Sequence, residues 1–178
     1  NMKTFSPTLY LEINNLNFVF FTGEIDEQNN FNIIHKLKVP IVGIKNNRIF
    51  EFEKVFKKIK ENIYLIEQNL NHTFKEVVLI LENFNLKFIN FTGFKKLNGS
   101  QVLRENITYI LNTLKSEVDT IETKNTILHI FNSKFYLDKK ENENLPIGLF
   151  GDFYSHELSF VLIDNNDYKN LLNIFEKC

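Results

Sequence analysis

The amino-terminal part of the chain alternates apolar and polar residues with the two-residue period of β-strands. Residues 9–13 follow this alternation, and the apolar run over 18–21 is typical of a strand buried on both faces. Two more extended segments are predicted over about 32–38 and 40–48, the second with a turn at Asn46-Asn47. Successive strands without an intervening helix predict an antiparallel meander.

Beyond residue 50 the apolar residues recur at three- and four-residue steps, which predicts an amphipathic helix over about 51–69. A short apolar strand, Val77–Leu81, follows and is bounded by Glu76 and Glu82. This pattern is expected of a buried parallel strand that is reached through a crossover helix. The apolar stripe of the helix comprises Phe52, Val55, Phe56, Ile59, Ile63, Ile66 and Leu70.

A second unit with another element order follows, so that the fold class is mixed α/β (α+β). The predicted order is strand, helix, strand, strand, with Ser100 as N-cap of the helix. A last helix is predicted to return to the first unit, which makes residues 1–83 with 165–178 one domain and residues 84–164 the other. The elements are predicted as a strand over about 85–94, a helix over 100–117, strands over 126–137 and 155–163, and a helix over 167–176.

Composition and charge narrow the classes of function. The 178 residues are 43% hydrophobic and 24% charged with a net charge of −1, as in an ordinary soluble globular protein. No basic field is visible, so nucleic acid is not an expected partner. The single cysteine, Cys178, excludes an intrachain disulfide and agrees with a reducing cytoplasm. No apolar run approaches the roughly 20 residues that cross a bilayer, so no direct membrane insertion is expected.

The chain is rich in asparagine and lacks alanine. It has 26 Asn and no Ala, and its only arginines are Arg48 and Arg104, which indicates A+T-rich codons. Many asparagines therefore stand in for other polar residues, and an individual Asn is expected to carry little functional information.

Three consecutive segments of the second unit resemble the signature of a known family. They are Thr126–Phe131, Phe135–Asp138 and Leu145–Gly151, with an acidic loop before the third. In the family of the bacterial cell-division protein FtsA, which is actin-like, the corresponding run reads I/V-L-H-V-I-P, then x-x-Y-x-V/I-D, an acidic turn and P-V-G-L/M-S-G. The order and spacing match, and the chain differs from the pattern at Phe131, Asn132 and Phe150.

The resemblance implies a partial actin-like (ribonuclease H-like) subdomain, called 1A in that family, with an inserted strand-helix-strand-strand SHS2 module, called 1C. It implies that the chain is a fragment of an adaptor that links FtsZ filaments to the membrane. FtsZ would bind a part that is absent here, and the 1C unit would serve FtsA self-association and contacts with other divisome proteins. The implied location is the cytoplasm, at the inner face of the cell membrane, through a carboxy-terminal segment beyond this chain.

The same resemblance places a nucleotide-binding loop after the first strand, with the family pattern L-D/E-I-G-S/T-x-K. Glu12 fits the acidic position. Asn14, Asn15 and Asn17 replace the glycine, the hydroxyl residue and the lysine. Glycine lets backbone N–H groups approach phosphate, and lysine would supply positive charge. We therefore expect a strand-connecting turn without a ligand and no binding or hydrolysis of ATP by this fragment. ATP with Mg²⁺ is expected only in the full-length parent.

The histidines do not indicate a metal site or a hydrolase. His35, His72, His129 and His156 are scattered without ligand spacing, and no zinc site is expected. The run Ser155–Glu157 contains the letters of a catalytic triad. Adjacent residues of a strand point to opposite faces, so these three residues are not expected to form one.

The 19 phenylalanines are expected to lie mostly in the core. A minority are candidates for a protein-interaction surface, since exposed aromatic residues on a small sheet favour binding. A partner would be held by edge pairing or by a patch of side chains. The candidates are Phe84, Phe88, Phe91 and Phe94 near the first strand of the second unit, and Pro146, Gly148 and Phe150 at its hairpin tip.

Three other functions remain open from the sequence. An actin-fold ATPase or sugar kinase would keep a glycine-rich first loop, and Asn14-Asn15 argues against it. A pilus-assembly adaptor of the same superfamily shares the architecture, and the Leu128-His129 and Pro146–Gly148 signatures favour the division protein. A ligand-binding SHS2 protein would need a polar cavity.

Overall fold

A computed structural model describes residues 7–82 and 84–178 in two compact units. One unit extends to Phe84 and resumes at Lys169, and the other runs from Asn85 to Tyr168. The predicted division differs by at most four residues: Phe84 falls in the first unit, and Asn83 lies outside the described residues. The elements are β1 (Thr8–Ile13), β2 (Asn17–Ile25), β3 (Phe31–Pro40), β4 (Ile44–Lys45), β5 (Arg48–Ile49), α1 (Phe52–Leu70), β6 (Val77–Leu81), β7 (Lys87–Lys96), α2 (Arg104–Ile121), β8 (Asn125–Leu137), β9 (Lys140–Asn142), β10 (Phe153–Asp164) and α3 (Asn165–Lys177).

The first unit is built on a four-stranded sheet of order β3-β2-β1-β6. β1, β2 and β3 form the predicted antiparallel meander, and β6 lies parallel to β1 with Leu11 opposite Leu79. A parallel pair needs a long crossover, which α1 supplies. The core residues of this unit are Leu9, Leu11, Ile13, Phe18 and Phe20 of the sheet, Val55, Ile59, Ile63 and Ile66 of α1, and Leu171 and Ile174 of α3.

The second unit is a four-stranded sheet of order β7-β10-β8-β9 with α2 on one face. β10 is its central strand, antiparallel to both β7 and β8. Gly93 of β7 faces α2, since a Cβ atom there would lie 2.7 Å from Cγ2 of Ile110. The residues buried between α2, the sheet and the adjoining loops are Leu97, Val102, Ile110, Leu114, Val118, Tyr154, Leu158, Phe160 and Leu162.

Two features of this unit differ from the sequence prediction. The charged loop after β8 contains a further strand, β9, because Asp138 and Lys139 adopt left-handed backbone with φ of 50° and 66° and turn the chain back on β8. The helix begins at Arg104 rather than after Ser100. The Ser100 hydroxyl donates to the carbonyl of Leu97, and Asn106 Oδ1 accepts the N–H of Leu103 at 2.7 Å.

Several asparagines have a structural role that composition alone did not predict. Asn46 and Asn47 have φ of 52° and 61° in the β4–β5 turn, and Asn71 ends α1 with φ of 50°. Asparagine tolerates the left-handed region better than most residues. These residues therefore carry conformational information, which the expectation about function did not concern. The positive-φ asparagines are Asn29, Asn46, Asn47, Asn71 and Asn98.

Candidate functional site

The turn between β1 and β2 occupies the position of the expected phosphate loop. Asn14 Oδ1 accepts the backbone N–H groups of Leu16 at 2.9 Å and of Asn17 at 2.7 Å, and the Asn14 N–H donates to the Asn17 carbonyl at 3.1 Å. Neither Asn14 nor Asn15 is among the described residues with positive φ. The side chain of Asn14 thus takes two backbone donors that a phosphate would otherwise need. This geometry is that of a side-chain-capped hairpin turn.

A carboxylate pair lies beside this turn, at the carboxyl ends of two parallel strands. Glu12 belongs to β1, and Glu82 follows β6, with its N–H donating to the carbonyl of Ile13 at 3.0 Å. A hydrogen bond with Glu12, the negative charge of Glu12 and desolvation together raise the pKa of Glu82. Two neighbouring carboxyl groups disfavour a further anion such as a phosphate group at this position.

The aromatic candidates on β7 divide between the two faces of the sheet. Phe88 and Phe94 are 72% and 60% exposed, and they lie on the face directed away from α2. We call this surface the outer face and define it on β7 by Phe88, Asn90, Thr92 and Phe94. Phe94 stacks on Phe153 of β10, with ring centroids 5.3 Å apart. Phe88 and Phe94 therefore remain candidates for a contact surface.

Phe84 and Phe91 are not surface residues. Phe84 is only 5% exposed, and Phe91 packs against the second-unit core with its ring 6.2 Å from that of Phe160, edge to face. Phe91 is separated by three residues from both Phe88 and Phe94, and an odd spacing in a strand reverses the face. The alternation of β7 thus leaves Phe88 and Phe94 available to a partner, but not Phe91.

The outer face also includes residues of β8 that the sequence did not indicate. His129 and Phe131 stack with centroids 5.7 Å apart, lie opposite Val161 and Ser159 of β10, and are both exposed. Register shifts in the β8–β10 pairing break the simple alternation there. Because bulges are not visible in a hydropathy pattern, the face to which Phe131 belongs could not be predicted.

The predicted hairpin tip is a loop of residues 145–152 that lies against residues 97–103. The N–H of Gly148 donates to the Val102 carbonyl at 2.8 Å, and Gly148 has φ of 89°. Pro146 is buried and is not available for contact, which corrects its selection as an interaction residue. Phe150 is 69% exposed. The exposed apolar residues of these two loops are Leu103, Ile147, Leu149 and Phe150.

The buried polar site of the second unit is a hydrogen-bonded chain of three side chains. His156 is 1% exposed, with Nε2 at 2.9 Å from Asn132 Oδ1 and Nδ1 at 3.1 Å from the Tyr154 hydroxyl. Asn132 Oδ1 can only accept, so Nε2 carries the proton and Nδ1 accepts from Tyr154. Burial lowers the pKa of His156 and raises that of Tyr154. The sequence run Ser155–Glu157 holds no triad, since its histidine points into this core.

No group of three or more histidine, cysteine or acidic side chains suited to a metal ion is found among the described residues. Within the described ranges, the histidines are therefore not part of a set of metal ligands.

Comparison with known proteins gives two curated relatives, both named cell division protein FtsA. The chain is 27% identical over 168 residues to the protein of Buchnera aphidicola subsp. Schizaphis graminum and 25% identical over 168 residues to that of Buchnera aphidicola subsp. Baizongia pistaciae. Each match covers 94% of this chain, and the chain spans 40% and 39% of the length of the two relatives. No protein-family model matches the chain.

A solved structure described as the PilM-PilN type IV pilus biogenesis complex contains a chain of similar fold. The TM-score is 0.60 at 10% identity, covering 95% of this chain and 44% of that chain. Likeness at this identity concerns the fold and not the activity. By sequence over nearly its whole length and by its actin-like fold, the chain is a relative of the cell division protein FtsA.

Proposed function

We propose that the chain is part of a cell-division adaptor of the FtsA type, which in the full-length protein links FtsZ filaments to the membrane, and that its second unit, the SHS2 (1C) module, makes protein contacts. The observation that carries this proposal is the outer face of the second unit. Exposed aromatic side chains on one face of a small sheet are typical of a protein-binding surface and unusual on a surface that contacts only solvent. Self-association and contacts with divisome proteins would use this face, while FtsZ would bind elsewhere in the full-length protein.

We further propose that this chain is not an enzyme and that a nucleotide, ATP with Mg²⁺, belongs only to the full-length parent. Asn14 already binds two backbone N–H groups of the loop, and the Glu12–Glu82 pair places negative charge beside it. A phosphate-binding loop needs free N–H groups and positive charge. In the described turn the N–H groups of Leu16 and Asn17 are already bonded, and residues 14–17 include no lysine or arginine.

Calorimetric titration of the chain with Mg-ATP is therefore expected to show no binding at micromolar nucleotide concentrations. Asn14→Gly provides the matched variant, because it frees the N–H groups of Leu16 and Asn17 without changing Glu12. If the Asn14 side chain is what closes the loop, any gain in affinity should appear in this variant alone. Micromolar affinity in the unmodified chain would contradict the proposal.

Charge on the outer face is expected to abolish association with partner proteins while leaving the fold intact. Phe88→Glu and Phe94→Glu place a carboxylate on a surface that a partner must desolvate, which costs binding free energy. The measurement is capture of the cytoplasmic segments of division proteins, and of full-length FtsA from the same cells, on the immobilised chain. Circular dichroism reports whether each variant remains folded.

Tyr64→Glu is the control for this experiment. Tyr64 is 59% exposed, close to the 60% of Phe94, but it lies on α1 of the first unit. Capture that is lost with Tyr64→Glu as well would indicate a general effect of charge. Capture that persists in both outer-face variants would exclude this face as the contact surface.

A pilus-assembly adaptor is the second candidate, and the fold likeness to a chain of the PilM-PilN complex favours it. The two curated sequence relatives favour the division function. An actin-fold ATPase remains a third candidate, against which the Asn14 turn argues. Within the described ranges no helix is both long and apolar enough to cross a bilayer. A position at the inner face of the membrane is accordingly part of the proposal, with attachment through a segment or partner outside this chain.

A further inference from the structure

The two long edge strands of the molecule differ in how they are protected against pairing. β3, at the edge of the first sheet, has a register shift opposite Thr22 and Gly23, exposes Lys36 and Lys38, and ends at Pro40. Bulges, lysines and prolines are the devices by which proteins protect an edge strand. The β3 edge is therefore protected against pairing with a strand of another molecule.

β7 has none of these protections over Phe88–Phe94. It pairs with β10 over ten residues without a register shift, and within the described ranges no other strand pairs with it. Phe88–Phe94 contains no charged residue and no proline, and lysines occur only at the ends of the strand, as Lys87, Lys95 and Lys96. A long, regular edge that is uncharged over Phe88–Phe94 and carries exposed phenylalanines is an edge that another strand can join.

The sequence of β7 is complementary to itself in the antiparallel sense. The register that places Phe88 opposite Phe94 of a second copy also places Asn90 opposite Thr92 and brings each Phe91 opposite its own copy on the two-fold axis. Opposite residues then always belong to the same face, so that outer residues meet outer residues. In each pair, the backbone N–H and C=O groups of both residues point either toward the other strand or away from it, as antiparallel hydrogen bonding requires.

We propose that β7 is a homodimerisation edge, at which two copies of this chain pair antiparallel through Phe88–Phe94 and join their second sheets into one. This inference rests on the proposed role of the outer face in self-association and goes beyond it by naming the strand that pairs and its register. Cross-strand aromatic pairs and a polar Asn–Thr pair stabilise such a ladder. Phe94 already stacks on Phe153, so the joined sheet would carry a continuous row from Phe153 through Phe94 to Phe88 of the second copy.

The register also places Lys87 opposite Lys95 of the second copy. Two lysines without partners would repel each other at this position. Each lysine already has a partner in its own chain. Lys87 Nζ lies 2.6 Å from Glu122 Oε1, and Lys95 Nζ lies 5.1 Å from the centroid of the Tyr109 ring. These contacts reduce the repulsion at the two ends of the ladder.

The test is the concentration dependence of the mass of the full 178-residue chain, measured by sedimentation equilibrium. The unmodified chain is expected to dimerise. Phe88→Glu and Phe94→Glu are each expected to weaken dimerisation at least about tenfold, because a symmetric interface contains every substitution twice. The double variant Phe88→Glu with Phe94→Lys is expected to restore it, since each Glu then faces a Lys of the other copy.

The restored dimer identifies the register. Residues 88 and 94 of one chain are about 20 Å apart along the strand, so their charges can pair only between copies. Added salt should weaken this dimer and leave the unmodified one unchanged. Tyr64→Glu, on the first unit, should leave the mass unchanged.

Three outcomes would overturn the pairing: a chain that is monomeric at every concentration, a dimer that survives both single variants, or a folded double variant that stays monomeric. A monomeric chain whose outer-face variants still lose capture of division proteins would retain the proposed function and point to an extended peptide of another protein as the occupant. A dimer that follows the expected pattern without capturing any division protein would retain the pairing and contradict the proposed function.

Discussion

Truncating Phe160 to alanine is expected to destabilise the second unit by about 3–5 kcal/mol, the usual cost of removing a buried aromatic side chain. Phe160 lies at the middle of the central strand β10, is fully buried, and is flanked by Ile89 on β7 and Ile130 on β8. Its ring also meets Phe91 edge to face. The loss would be a large part of the 5–15 kcal/mol that stabilises a typical domain.

Phe150→Ala is the matched control, since it removes the same side chain from the same unit at a position that is 69% exposed and lies outside β7. It is expected to change the free energy of unfolding by less than about 0.5 kcal/mol, as surface substitutions do. Amide hydrogen exchange in urea, followed separately in β10 and in β1, distinguishes the two units. Equal losses for both substitutions, or a Phe160→Ala effect confined to the first unit, would contradict the described core.

The second unit is expected to lose stability as the pH falls below the ordinary histidine pKa of about 6.5. Burial lowers the pKa of His156 in the folded state, so the unfolded chain binds the proton more readily. Stability is fully present above the unfolded pKa and is lost as the pH falls toward and through the folded pKa, with a slope of at most about 1.4 kcal/mol per pH unit for this proton. A proton on Nδ1 would also face the Tyr154 hydroxyl, which then has to turn its own hydrogen into the core.

Urea midpoints at several pH values, compared between the unmodified chain, His156→Gln and His129→Gln, measure this effect. His129→Gln is the control, because His129 is exposed on the outer face and lies outside the buried hydrogen-bonded chain. His156→Gln should lower stability at neutral pH and flatten the response between pH values of about 7 and 5. An unchanged slope in His156→Gln would show that other groups cause the acid sensitivity.

The hydropathy pattern predicted most of the fold, because period and length distinguish helices from strands. α1 was predicted over 51–69 and lies at Phe52–Leu70, and the parallel strand after it was predicted at Val77–Leu81, as found. The start of α2 and the short strand β9 were not predicted. Both depend on single side-chain hydrogen bonds or on left-handed residues, which leave no periodic signal.

The candidate site was predicted less completely than the fold. Phe88 and Phe94 are exposed and remain candidates for contact, whereas Phe84, Phe91 and Pro146 are buried or packed in the core. Burial depends on which face a residue occupies, and that needs the register as well as the residue type. The partners of His156 on two strands could not be predicted, since Asn132 is 24 residues away in the chain.

The asparagine turns separate two properties that glycine usually combines. Glycine permits left-handed backbone, and it leaves space in which a ligand can approach the main chain. Asparagine supplies the first property at Asn46, Asn47 and Asn71, but at Asn14 its side chain fills the space and takes up the N–H groups itself. In the proposal made for this turn, a base composition that drives glycine toward asparagine preserves a protein's scaffold while it removes a phosphate site. Loss of a ligand and loss of a fold are then independent events in the history of such a chain.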